Sequence, residues 1–163
     1  NEFIHIIDPK PRLFIIGAVH IAQALVSLAN VADYEIILID PRDHFATKSR
    51  FPNCKIINEW PDEALSKFNL DKSSHLVTLT HDPKIDDLAL IFCMKKNIGY
   101  IGSLGSKKTH NKRCERLIEK GFNEIELSKI HAPIGLDIKA KTPAEIAASI
   151  LAEIINYRRN NHD

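Results

Sequence analysis

The run Arg12-Leu-Phe-Ile-Ile-Gly17-Ala-Val-His-Ile-Ala22-Gln-Ala-Leu-Val-Ser-Leu28 constrains this chain more than any other segment. An unbroken apolar stretch stops at Gly17, and apolar residues then recur at helical spacing (Ile21, Leu25 and Leu28, with Ala22 and Ala29). A strand buried on both faces reads as a continuous apolar run, and a 3.6-residue period reads as a helix with one face inward. The pair is therefore a strand turning tightly into a helix, the opening unit of a nucleotide-binding α/β domain. The dinucleotide fingerprint at such a turn is Gly-x-Gly-x-x-Gly/Ala, with an acidic residue about 20 positions on. Gly17 supplies the tight turn, Ala22 the close helix–strand approach, and Asp40 lies 23 residues after Gly17 (40 − 17), at the end of Glu35-Ile-Ile-Leu-Ile-Asp40. Val19 stands where the middle glycine would let a pyrophosphate reach the backbone. The fold signal is intact, and NAD(P) binding at this turn is expected to be impaired.

The remaining apolar runs continue the pattern. Strands are expected near 12–16, 35–39, 55–57, 75–79, 98–101 and 129–131. Helices are expected near 20–31, from Pro61, over 85–96, from the N-cap Ser106 through Lys120, and from the capping box Thr142-Pro143-Ala-Glu145 to about Arg159. Gly121 ends the fourth of these helices. Strands alternating with helices predict an α/β fold: a Rossmann-type, doubly wound, mostly parallel six-stranded sheet, ordered 3-2-1-4-5-6. At 163 residues, with 44% hydrophobic and 26% charged content, the chain is expected to form one domain over 1–163, with residues 1–11 as a lead-in.

A net charge of +1 argues against nucleic acid as a partner. No apolar run approaches the roughly 20 residues of a membrane span, so no membrane association is expected. Cys54, Cys93 and Cys114 are odd in number and lack Cys-x-x-Cys spacing, which suits a reducing, cytoplasmic setting.

Ligands of doubly wound sheets bind beyond the carboxyl ends of the strands, and polar residues gather at each of those ends here. His20 follows the first strand, and Asp40 and Arg42 the second; His81, Asp82 and Asp86 follow the fourth. Gly102, Ser103, Gly105, Ser106, Lys107 and His110 follow the fifth, and His131 and Asp137 the sixth. No rigid His-x-x-x-His spacing marks a metal site, and no serine or cysteine is placed as a nucleophile beside a His–Asp pair. Gly102-Ser-Leu-Gly105-Ser-Lys107-Lys108 is the candidate anion site, because a glycine-rich turn opening a helix presents backbone amides to an anion. His81 and His110 are expected within reach of that anion. The competing reading is an ordinary strand–helix turn, with Lys112, Arg113 and Arg116 on a solvated face.

Taken together, these motifs resemble one family. Gly17-Ala-x-His20, Asp40-Pro-Arg42, Phe45-Ala-Thr47, Arg50-Phe-Pro52, Thr80-His-Asp82 with Lys84 and Asp86, Tyr100-Ile-Gly102-Ser-Leu-Gly105-Ser106, Thr109-His110, His131-x-Pro-Ile-Gly-Leu-Asp137 and Thr142-Pro-Ala-Glu145 are similar to the Rossmann domain of the xanthine dehydrogenase accessory (XdhC/CoxI) proteins, over about residues 12–157. The resemblance implies a maturation factor for molybdenum hydroxylases, which binds and delivers molybdenum cofactor (molybdopterin type) and assists its sulfuration. It implies a hydroxylase client and a cysteine desulfurase as partners and leaves a homodimer open. Two departures stand out: Val19, and the absence from this sequence of the family's amino-terminal domain with its cysteine-bearing motif. The alternatives are an NAD(P)-dependent oxidoreductase, or a nucleotide-binding regulatory or interaction module that keeps the fold alone.

Overall fold

A computed structural model of the chain describes residues 9–161. The lead-in expected over 1–11 falls mostly on residues 1–8, outside the described residues. The elements run β1 (Arg12–Ile16), α1 (His20–Val31), β2 (Glu35–Ile39), β3 (Lys55–Ile57), α2 (Pro61–Leu65), β4 (Ser74–Thr78), α3 (Pro83–Met94), β5 (Tyr100–Ser103), α4 (Lys107–Glu119), α5 (Glu124–Leu127), β6 (Ile130–His131) and α6 (Pro143–Asn161). All five strand pairings are parallel, in the order β3-β2-β1-β4-β5-β6. Helices cover both faces, so this is the doubly wound arrangement that the alternation of runs predicts.

Strand alternation sorts the apolar runs into two cores. Leu13 and Ile15 of β1 and Ile36 and Leu38 of β2 face a layer formed with Leu25, Ala29, Ile150 and Ile154 of α1 and α6. Phe14 and Ile16, with Ile37 and Ile39, face the opposite layer, formed with Leu65, Ile85, Leu90 and Leu117 of α2, α3 and α4. Every position of β1 and β2 after the first is buried, which explains the absence of a polar alternation in either run.

The main departures from the expected boundaries have local causes. Helix α3 starts at Pro83 rather than 85, because Asp82 is its N-cap and accepts from the Lys84 amide; proline then occupies the first turn, where no amide partner is needed. Strand β5 spans Tyr100–Ser103 rather than 98–101, and its register with β4 carries Gly102 opposite Val77 and Ser103 opposite Thr78. The periodicity of the sequence does not predict the short helix α5, which is closed by a reciprocal capping box between Asn123 and Glu126.

The β1–α1 turn depends on Gly17. Its φ of +113° lies in a region that side-chain-bearing residues rarely adopt, and an added Cβ would sit 2.6 Å from Thr80 Cγ2. This close approach brings the first turn against the loop after β4, where ligands of such sheets bind. Gly17→Ala is expected to destabilise the fold by roughly 1–3 kcal/mol through backbone strain alone, with the contact to Thr80 adding to it. Urea unfolding of the two proteins measures the difference, and equal midpoints would show that the turn accepts a Cβ.

Candidate functional site

The sheet order reverses between β1 and β4, so the crevice lies above Gly17 on one side and Thr80 on the other. Asp40, at the carboxyl end of β2, is fully buried beneath it. Its Oδ2 accepts from the Ala18 amide (2.8 Å) and from Arg42 Nη2 (2.8 Å), and its Oδ1 accepts from the Arg42 amide and Arg42 Nε (both 2.9 Å). A carboxylate offers about four lone-pair sites, and protein donors fill them. Burial alone would raise the Asp40 carboxyl, but the Arg42 guanidinium and the two amides outweigh it and hold it below its ordinary value. The ribose-accepting role expected of Asp40 is thus taken up inside the protein, and the NAD(P) reading loses the residue that supported it. Val19 does not project freely into the crevice either: it is half-buried and packs against the α1/α6 core.

Two arginines organise the long loop 40–53 over this turn. The Arg42 guanidinium stacks on the Phe45 ring at 4.7 Å, and its charge is reinforced by Asp82 and Asp86 from the β4 side. Arg50, which the sequence marks only as part of the Arg50-Phe-Pro52 motif, donates through Nη1 to the carbonyls of Ala18 (2.8 Å) and Phe45 (2.6 Å), and through Nη2 to Gln23 Oε1 (3.3 Å). His20, on the first turn of α1, is exposed at the rim.

Beyond β4 the device repeats. Asp86 is 2% exposed; its Oδ1 accepts from the Thr80 hydroxyl (2.6 Å) and amide (3.3 Å), and its Oδ2 from the His81 amide (3.1 Å). These bonds hold His81 at a φ of +65° and leave its ring exposed. Burial raises the Asp86 carboxyl despite those donors. Asp82, placed on the sequence as a ligand group, serves as the cap of α3.

The glycine-rich segment after β5 divides into two parts. Gly102 and Ser103 belong to the strand. A Cβ on Gly102 would meet Ile134 Cδ1 and Tyr100 Oη at 2.6 Å, and the buried Ser103 Oγ lies 2.5 Å from Thr78 Oγ1. Both residues are therefore packing groups in the β4–β5 layer and do not form part of an anion loop. Gly105, at a φ of +134°, makes the actual turn against Thr109. The Ser106 hydroxyl accepts from the Thr109 amide (3.1 Å), already capping α4, and Lys107 is exposed beside it.

Arg113 departs from the solvated face that the competing strand–helix-turn reading gives it: it is 2% exposed, on the inner side of α4 one turn before Leu117. Its Nη2 donates to the Leu104 carbonyl (3.1 Å), and its Nη1 lies 3.3 Å from His110 Nδ1. A guanidinium only donates, so His110 Nδ1 is the acceptor and the ring proton sits on Nε2, 3.4 Å from Cys114 Sγ. His110 thus has both nitrogens engaged, and burial together with the charge of Arg113 lowers its pKa. The same tautomer cannot take a proton from Cys114, whose thiol burial raises; this Cys–His pair is not an activated nucleophile. Burial also raises the thiol of Cys54, and pushes that of Cys93 up to about 12.

His131 and Asp137 do not join the others. The His131 ring stacks on Tyr100 (centroids 4.7 Å) and meets Tyr157 of α6 edge-on (4.8 Å), with Nδ1 3.8 Å from Glu153 Oε1. Tyr100 donates to the same Glu153 at 2.6 Å. Register pairs His131 with Gly102, a strand position whose side chain leans on α6 rather than into the crevice. Asp137 is exposed and pairs with Lys139 at 3.2 Å. Among the described residues no group of three or more His, Cys, Asp or Glu side chains is placed to hold a metal ion, and no helix is long and apolar enough to cross a membrane.

Residues 13–154 match the family described as the XdhC Rossmann domain. Over 98% of its length the chain is 36% identical to a Bacillus subtilis protein described as a probable subunit of xanthine dehydrogenase, covering 46% of that protein. Over 95% of its length it is 29% identical to the molybdenum cofactor insertion chaperone PaoD of Escherichia coli, covering 42% of it. A crystal structure described as a xanthine dehydrogenase from Bacillus halodurans superposes with a TM-score of 0.82 at 32% identity, over 96% of this chain and 45% of that one. The chain thus spans less than half the length of each of these proteins.

The Asp40 cluster sets a pH-dependent stability. A carboxyl held below its unfolded value contributes fully above that value, 3.8, and the contribution is lost as the pH falls through the lower folded value. Asp40→Asn leaves the Arg42 guanidinium facing an amide, and is expected to cost roughly 3 kcal/mol near neutral pH. The cost should shrink below about pH 4, where the carboxyl of the unfolded parent chain is protonated. Denaturant unfolding across the acid range checks this, and a pH-independent difference would count against the ion pair as its origin.

Proposed function

The chain belongs to the XdhC Rossmann-domain family, and on that membership we propose that it acts in the maturation of a molybdenum hydroxylase, binding molybdenum cofactor and delivering it to the client enzyme. The observation that carries this reading is the family match, joined to a relative described as a molybdenum cofactor insertion chaperone. The crevice is consistent with it. Its fixed walls are carboxylates already consumed by protein donors, and its rim presents cations and neutral donors: Arg42, His81, Lys107 and, beneath, Arg113. Such a lining suits an anionic, hydrogen-bonding ligand. Arg113 keeps an unmet donor beside that lining: among the described residues its buried Nε has no hydrogen-bond acceptor, and a buried donor left unmade costs about 1–3 kcal/mol.

The bound cofactor supplies the molybdenum centre of the client's chemistry. This chain's own residues hold its polar edge, exclude water and release it. The resemblance adds a cysteine desulfurase as the source of the terminal sulfur, and burial raises all three thiols of this sequence above their ordinary value. A homodimer would bring two such sites to one client.

Protein purified from its own host should retain a pterin phosphate detectable by mass spectrometry. Adding the loaded protein to apo-hydroxylase should speed recovery of hydroxylase activity beyond that given by free cofactor. Retention of NAD(P) in place of a pterin, with no effect on recovery, would sink the reading.

A further inference from the structure

A cavity of about 100 Å3 lies between the first turns of α3 and α4, with His81, Asp86, Asp87, Lys112, Arg113 and Arg116 in its lining. It opens beside the crevice, beyond the carboxyl ends of β4 and β5. Enclosed engineered cavities of about 150 Å3 hold benzene, so a recess of this volume has room for a tetrahedral oxyanion.

The charges around it are unevenly matched. Arg116 is held by Asp87 through two bonds, Nε–Oδ2 at 2.7 Å and Nη2–Oδ1 at 3.2 Å. The Asp86 oxygens are taken by Thr80 and His81. Arg113 remains. It is 2% exposed, Asp86 and Asp87 act on it through space without a direct hydrogen bond, and its Nε–H has no acceptor among the described residues. Lys112 stands exposed at the cavity's edge. A buried guanidinium without a directly bonded anion is costly, and phosphate is a group its planar fork recognises well.

We propose that this cavity binds the phosphate-monoester end of the cofactor, with Arg113 as the principal donor and Lys112 at the mouth. The assignment rests on the cofactor-binding reading above and deepens it. It also moves the anion from the Gly105 turn, whose cap is already filled by Ser106, to the neighbouring cavity lined by Lys112, Arg113 and Arg116 of the same helix.

Inorganic phosphate and phenyl phosphate, titrated by calorimetry at low ionic strength, are the probes. Both should bind saturably to the parent protein. Arg113→Lys should weaken binding about tenfold or more, a loss of at least one charge-assisted hydrogen bond. Lys112→Gln, on an exposed site that should leave the fold intact, should weaken it about threefold, as expected for a partly screened charge. Tighter binding of phenyl phosphate identifies the ester as the ligand, whereas binding of inorganic phosphate alone identifies free phosphate and overturns the cofactor assignment. Equal affinities in parent and both variants, or no saturable binding, overturn the site itself. Cofactor retention that survives in Arg113→Lys would overturn the site while leaving the delivery function standing. Loss of delivery with phosphate binding unchanged would do the reverse.

Discussion

The buried carboxylate of Asp40 is the interaction on which the crevice depends. It reaches back from the end of β2 to the Ala18 amide at the end of β1 and forward to both the amide and the guanidinium of Arg42. A fully buried charge is tolerable only when its lone pairs are met, and four donors meet them here. Once Arg42 is fixed, its face supports Phe45, and Arg50 ties the loop's backbone to Ala18. One ionised side chain therefore sets the β1–α1 turn, the loop after β2 and the shape of the cleft between them.

Asp86 plays the matching part across the switch point, binding the amides of Thr80 and His81 instead of a cation. The two carboxylates make rigid strand ends on both sides of Gly17, and the side chains left over for a ligand are the exposed His20 and His81, the outer face of Arg42 and the basic groups of α4. In a dinucleotide-binding relative of this fold the acid after β2 would serve the ligand. Here it serves the protein. That shift removes from the crevice the acid on which a dinucleotide reading rests.

Arg113 inverts this logic. The acids of the crevice have their lone pairs met by protein donors, whereas the buried guanidinium of α4 has one nitrogen with no acceptor among the described residues. Helix α4 is otherwise poor in apolar residues, with Leu117 its buried anchor. An arginine on the inner face of such a helix must have its donors met: two of its nitrogens reach the Leu104 carbonyl and His110 Nδ1, and Nε is the donor that the anion site proposed above takes into account.

The elements other than α5, the strand order and the location of the polar clusters at the carboxyl ends of β1, β2, β4 and β5 were legible in the amino-acid sequence. They follow from short-range periodicity: apolar runs for strands covered on both faces, a 3.6-residue period for helices, and glycine where φ must be positive at residue 17. The family was legible too, through motifs spread along most of the chain. Tertiary packing, by contrast, settled which polar groups remain for a ligand. Asp40 is consumed by an amide 22 residues away, Arg50 by a carbonyl 32 residues away, and His131 by rings on β5 and α6. Arg113 could have been placed inward from its four-residue spacing to Leu117, but the lysines and arginines around it gave α4 the look of a solvated face. Hydrogen-bond capacity is spent across the fold, between residues distant in sequence, and a motif records the donor or acceptor without recording its partner.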